Sequence, residues 1–216
     1  MPLKQKTPDA LLFIAPGCPH CPTVLAGLAE LVKQALIGRL EVVNIAVHPQ
    51  HAEQLGVRSV PWLKLGDFEL HGLHSAAELK RWAQKAASAE GLAEYFSEQF
   101  KSGQLPQVID MVNQQPGHLS VLLDLAAQAE TELTVRIGIS AVLEEMAGSP
   151  ELVAQLPALA RLAASEDPRV RADASHFLAL TGDRAAVPVL EVLTEDPERS
   201  VRETAADSLA ELRDST

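Results

Sequence analysis

Continuous apolar runs and helical spacings alternate over the first 88 residues. Ala-Leu-Leu-Phe-Ile-Ala (10–15) is a short unbroken apolar run stopped by a Pro-Gly pair, the pattern of a buried strand. From 23 to 36, Val24, Leu28, Leu31, Val32 and Leu36 fall on one helical face, and Gly38 follows as a stop. A second apolar run (40–47) predicts a strand, and 48–56 a short helix. Residues 62–66 and 68–72 read as two strands joined tightly at Gly66-Asp67. Ser75, with Glu78 three residues on, is a capping box that opens a helix over 75–87. The predicted order is β-α-β-α-β-β-α.

After about residue 88 the pattern changes. Residues 87–91 carry no core periodicity and mark the junction, which gives two domains, 1–88 and 89–216. Beyond it every segment has helical spacing, punctuated by Gly, Pro and Asp-Pro. Three segments repeat: 135–146, 170–181 and 201–212 each open on Val-Arg, and the Val-Arg pairs lie 35 and 31 residues apart. Asp167-Pro168 and Asp196-Pro197 precede the last two, a helix cap followed by proline at the first helical position. Residues 105–130 supply a degenerate helix pair before them, and 89–103 a connecting or capping helix.

Charge follows the same division. Residues 1–88 hold nine Lys/Arg and seven Asp/Glu, a net of +2; residues 89–216 hold nine and 22, a net of −13, which together give the chain's −11. The acidic half lacks the clustered cations that nucleic acid or an anionic membrane requires. It reads equally as a solvated surface and as a face for a basic partner. No apolar stretch reaches the roughly 20 residues needed to cross a bilayer, and the start of the chain lacks the features of a secretory signal. The expected location is the cytoplasm, where a permanent structural disulfide would be unusual.

The chemistry concentrates in Cys18-Pro19-His20-Cys21, which holds the chain's two cysteines. The element order places Cys18 where the first strand meets the first helix, with Pro19 in the first helical turn. Unpaired N–H groups and the helix dipole there favour thiolate. Cys21, one turn on, faces the protein, and the spacing suits a disulfide that opens and closes. Metal is the rival reading, because His48 with His51 and His71 with His74 have ligand-like spacing. Those pairs follow the second and fourth strands, the expected sheet edges. Three strand spacings separate them by roughly 14 Å, too far for one ion. No metal site is therefore assigned. His118 and His176 are isolated, and the second half presents no catalytic constellation.

The motif Gly17-Cys18-Pro19-His20-Cys21 after a strand, with 55–61 and 71–82 in the right order, resembles the thioredoxin superfamily. The Pro-His centre is similar to that of disulfide oxidases of the DsbA type. The unit's size is nearer to glutaredoxins and the repeated units of protein disulfide oxidoreductases. The resemblance implies Cys18 as nucleophile and Cys21 as resolving cysteine, with His20 tuning the pair. It also implies a cis bond at Val60-Pro61, whose backbone guides an extended substrate, and Gly72 as the glycine of a neighbouring loop in the same groove; Pro19 lines that groove. Two family features are missing: the buried acid six residues before the nucleophile is Leu12 here, and its partner lysine aligns with Val42. Together they predict a neutral floor beneath Cys21. The Val-Arg repeats resemble HEAT repeats, and the resemblance implies a stacked all-α solenoid in which Arg136, Arg171 and Arg202 form a ladder with acids such as Asp173 and Asp207.

The expected function is a thiol–disulfide oxidoreductase, a reductase or isomerase, whose HEAT-like module holds a protein client, possibly a basic one. The redox-active disulfide serves as the only cofactor and a separate electron donor recharges it. The alternatives are a redox-sensing interaction protein and an electron carrier dedicated to one client such as a peroxidase.

Overall fold

The computed structural model describes residues 7–86 and 88–214. The basic start of the chain, the last residue of the predicted 75–87 helix and the two C-terminal residues lie outside the described residues. The chain divides into two compact units, one ending at Tyr95 and one beginning at Phe96.

In the first unit the elements follow the predicted order: β1 (Ala10–Ile14), α1 (Cys21–Lys33), β2 (Leu40–Asn44), α2 (Pro49–Gln54), β3 (Trp62–Leu65), β4 (Phe68–His71) and α3 (Ala76–Lys85). They form one sheet in the order β2-β1-β3-β4. β1 and β2 run parallel, while β3 is antiparallel to both β1 and β4. Phe13, Val43, Ala52 and Trp62 form a core cluster on one face of the sheet, and Leu11, Ile45, Val57 and Val60 pack against it. Alternation along the strands sends Leu12 and Leu63, both fully buried, to the opposite face. α1 and α3 pack closely together: a Cβ on Gly27 would lie 2.8 Å from Leu79 Cδ1.

The helix termini show how local chemistry sets the boundaries. Ser75 Oγ accepts from Glu78 N–H (3.3 Å) and Glu78 Oε2 accepts from Ser75 N–H (2.8 Å), the reciprocal cap read from the sequence. α1 stops earlier than its apolar spacing predicts. Ala35 takes the left-handed conformation (φ 56°), Leu36 N–H donates to Leu31 O and Ala35 N–H to Val32 O, both at 3.0 Å. That is the helix-ending motif usually built on glycine, formed here on alanine three residues before the expected stop at Gly38. The predicted neutral floor is only half present. Leu12 is buried, but Val42, its register partner on β2, is 39% exposed because β2 is a sheet edge.

The helix α4 (Ala89–Lys101) contains the division between the units. Its Tyr95 belongs to the first unit and is fully buried, with its ring stacked on Phe68 (centroids 4.5 Å apart) and edge-on to Trp82. Its hydroxyl donates to Glu69 O (3.0 Å) and accepts from Glu69 N–H (3.1 Å). β4 is the other edge of the sheet, so the hydroxyl supplies what a neighbouring strand would have supplied.

The second unit is helical: α5 (Leu105–Gln114), α6 (Leu119–Ala126), α7 (Leu133–Glu145), the short α8 (Pro150–Val153) and α9 (Leu156–Leu162), α10 (Pro168–Leu180), α11 (Val187–Leu193) and α12 (Arg199–Asp214). The Val-Arg segments are α7, α10 and α12. Each buries the same five positions: Val135, Ile139, Val142, Leu143 and Met146; Val170, Ala174, Phe177, Leu178 and Thr181; Val201, Ala205, Ser208, Leu209 and Leu212. This spacing gives one apolar stripe per helix, and stacking buries it.

The three arginines do the same local work. Each guanidinium donates to carbonyls of the turn before its helix: Arg136 to Gln128 and Thr131, Arg171 to Ser165 and Glu166, Arg202 to Asp196 and Pro197. Arg136 also pairs with Asp173, as expected. Arg171 pairs with Asp196 rather than Asp207, through Nε–Oδ2 at 2.7 Å and Nη2–Oδ1 at 2.9 Å. Asp196 is placed for this because its turn precedes the next helix. α12 accordingly starts at Arg199, and Asp196 Oδ1 also accepts from Glu198 N–H at 2.8 Å. The Arg171 guanidinium holds the Asp196 carboxyl below its usual range. Asp207 is exposed.

Candidate active site at the Cys18–Cys21 disulfide

Strand β1 ends at Ile14, and a turn through Pro16 and Gly17 (φ 77°) carries the chain to Cys18. α1 starts at Cys21, with His20 as its cap residue and Pro22 within the first turn. Pro19 therefore lies ahead of the helix rather than in its first turn. Cys18 and Cys21 are joined by a disulfide, Cα–Cα 5.6 Å.

The two sulfurs are not equivalent. Cys18 is half-buried, whereas Cys21 is 5% exposed. The backbone N–H of Cys21 donates to Cys18 Sγ at 3.2 Å, so the sulfur occupies the place of a side-chain helix cap. On reduction the same N–H and the helix N-terminus stabilise negative charge on Cys18. Attack from solvent can reach Cys18 and not Cys21. Pro19 and His20 are exposed beside it.

Across from the disulfide, the Val60-Pro61 bond is cis. Val60 O lies 3.8 Å from Cys18 Sγ, Val60 is half-buried and Pro61 is buried. Gly72 N–H donates to Pro61 O at 2.9 Å, and Gly72 has φ 78°, a left-handed conformation that favours glycine. Thus Cys18, Pro19, His20, Val60, Pro61 and Gly72 share one end of the sheet. Behind them Phe13 and Trp62 pack together (5.4 Å), with His51 edge-on to Phe13 and His71 edge-on to Trp62. His48 and His51 follow β2, His71 is the last residue of β4 and His74 follows it, so the two pairs lie at the two sheet edges. Among the described residues no three His, Cys, Asp or Glu side chains converge as metal ligands would.

Comparison with known proteins agrees with this geometry. A model of the thioredoxin domain matches residues 11–84. The thioredoxin of Methanocaldococcus jannaschii is 33% identical over 63 residues, which are 28% of this chain and 74% of that protein. The chain belongs to the thioredoxin family. Its thioredoxin domain carries the redox-active cysteine pair at the position described above, which supports thiol–disulfide oxidoreductase chemistry in general. A model of HEAT repeats matches residues 119–210, the helical unit from α6 to α12. Such repeats generally mediate protein–protein interaction. No helix among the described residues is long and apolar enough to cross a membrane.

Sequence reasoning missed one group at the β4 edge and one apolar pair near the site. Tyr95, which satisfies the β4 edge, sits in a segment whose amphipathic pattern gives no sign of its target. Val47 and Leu73, 65% and 52% exposed, lie on the loops after β2 and β4 and look like ordinary loop residues until the sheet brings them to the disulfide end.

Proposed function

We propose that the protein is a cytoplasmic protein disulfide reductase or isomerase whose HEAT repeats hold a protein client. The observation that carries this reading is the asymmetry of the disulfide: an accessible Cys18 sulfur fixed by a helix-start N–H, and a buried Cys21 directly behind it. In the reductive direction the Cys18 thiolate attacks a substrate disulfide, forming a mixed disulfide and releasing one substrate thiolate. Cys21, deprotonated, then attacks Cys18 Sγ. The second substrate thiol leaves and the Cys18–Cys21 bond closes, so two electrons pass from the pair to the substrate. Val60 and Pro61, with Gly72 and Pro19, border the surface on which the substrate backbone lies, and the exposed His20 modulates the Cys18 thiolate. The pair needs no bound cofactor, and a separate dithiol donor returns the electrons.

A second reading is favoured by one observation. Leu12 is fully buried where relatives of this fold are expected to carry an acid, so no carboxylate at that position takes the Cys21 proton. Slow resolution would suit a redox sensor that docks partners, or a carrier dedicated to one client such as a peroxidase.

The test is a redox titration of the pair against glutathione, with Cys18→Ser as control, together with Cys21→Ser and a peptide disulfide. A two-electron couple below about −220 mV and a trapped Cys18–substrate mixed disulfide support reductase work; a couple near −120 to −180 mV supports isomerase work. Absence of any two-electron couple overturns the catalytic reading.

A further inference from the structure

The sheet gathers four loops at one end. β1 and β2 are parallel and β3 is antiparallel to β1 and β4. The segments after β1, β2 and β4 and the segment before β3 therefore surround Cys18. Residues 14–20, 45–51, 56–61 and 71–75 contain no aspartate, glutamate or lysine. Their one permanent charge is Arg58, which is exposed and has no partner among the described residues. They also hold five of the chain's seven histidines, His20, His48, His51, His71 and His74, side chains that are neutral or cationic but never anionic. The nearest carboxylates along the chain are Glu53 and Glu78, and Glu78 is engaged in the cap with Ser75. The opposite end of the sheet carries Asp9, Arg39 and Asp67. Apolar surface completes the picture, because the exposed Val47 and Leu73 extend from the loops on either side of the disulfide.

We propose that this end of the domain selects cysteine-containing protein segments in which acidic and apolar side chains flank the reacting cysteine, and disfavours basic ones. This rests on the oxidoreductase reading and specifies its substrate class. Arg58 is exposed and precedes Val60 by two residues, which puts a positive charge on the stretch of chain along which the substrate segment would lie.

The experiment uses the full chain and two peptide disulfides that differ only in carrying Glu or Lys two residues from the reacting cysteine. Wild type is expected to show a kcat/KM roughly three- to tenfold higher for the Glu peptide, the range that one exposed ion pair and its reversal supply. The ratio should collapse toward one at high salt. Arg58→Glu inverts the ratio, while Arg39→Glu, a charge reversal at another exposed arginine at the far end of the sheet, leaves it as in wild type. The double variant Val47→Ser, Leu73→Ser raises KM for both peptides alike. Equal rates for the two peptides, a Lys preference, or an Arg39→Glu effect as large as that of Arg58→Glu overturns the selectivity while leaving oxidoreductase chemistry standing. Turnover of neither peptide, with no mixed disulfide trapped in Cys21→Ser, overturns the underlying reading and this one with it.

Discussion

Replacing Tyr95 by phenylalanine tests how the sheet's β4 edge is closed. The change removes one oxygen and keeps the ring stacked on Phe68 and edge-on to Trp82. Two hydrogen bonds are lost, O–H to Glu69 O at 3.0 Å and Glu69 N–H to the hydroxyl at 3.1 Å. Each contributes about 1 kcal/mol net, and an edge group left without full access to water adds a desolvation cost. Glu69 is half-buried, so partial hydration is available and the sum is roughly 2–3 kcal/mol. Both tryptophans, Trp62 and Trp82, lie in the first unit, so tryptophan fluorescence during urea unfolding of the full chain reports that unit. With a slope near 1 kcal/mol per molar urea, the midpoint falls by about 2–3 M. A midpoint change below about 0.3 M would falsify the edge-capping argument, because water would then satisfy Glu69 as well as the hydroxyl does.

Two further outcomes are expected in the second unit. Gly138→Ala drives a Cβ against the edge of the Phe100 ring on a buried helix face; overpacking of about 1–3 kcal/mol outweighs the helix-propensity gain of about 1 kcal/mol, so thermal unfolding followed by circular dichroism should move down, and an upward shift refutes the contact. Asp196 and Asp167 both have carboxyl pKa values lowered, Asp196 by Arg171 and Asp167, to about 2, by Arg169. The lowered value means that their stabilisation is complete above about pH 4 and is lost as pH falls through the folded value. Asp196→Asn should lower stability at pH 7 by roughly 2–3 kcal/mol, less than for a wholly dry pair because Arg171 keeps two carbonyl partners. It should also flatten the acid limb of stability against pH; an unchanged limb would show that the Arg171 pair contributes nothing there.

What was legible in the sequence was local. The capping box of Ser75 and Glu78, the strand runs, the Val-Arg stripe and the cysteine pair at a helix start each depend on residues within about one turn of one another. The apolar spacing of α1 does not show where the helix ends, because the terminating left-handed residue is Ala35, and alanine carries no signal for that conformation. The partner of Arg171 is not legible in the sequence for a different reason. In α10 the acid that meets Arg136 stands three residues after Val170, but the equivalent position of α12 is Thr204, and Asp207 stands six residues after Val201 on an exposed face. Arg171 instead pairs with Asp196, in the turn before α12.

The same distinction separates the reactivity of the candidate site from its selectivity. A thiol three residues before a helix meets that helix's first N–H groups whatever the rest of the chain does, so the asymmetry of Cys18 and Cys21 follows from a four-residue motif. Arg58, Val47 and Leu73 have no such local logic. They are separated by up to 26 positions and become one surface only because β1, β2 and β4 end where β3 begins. Divergence between proteins that share the cysteine motif is therefore expected in these loops, where a substitution alters the preferred client without disturbing the backbone that makes Cys18 reactive.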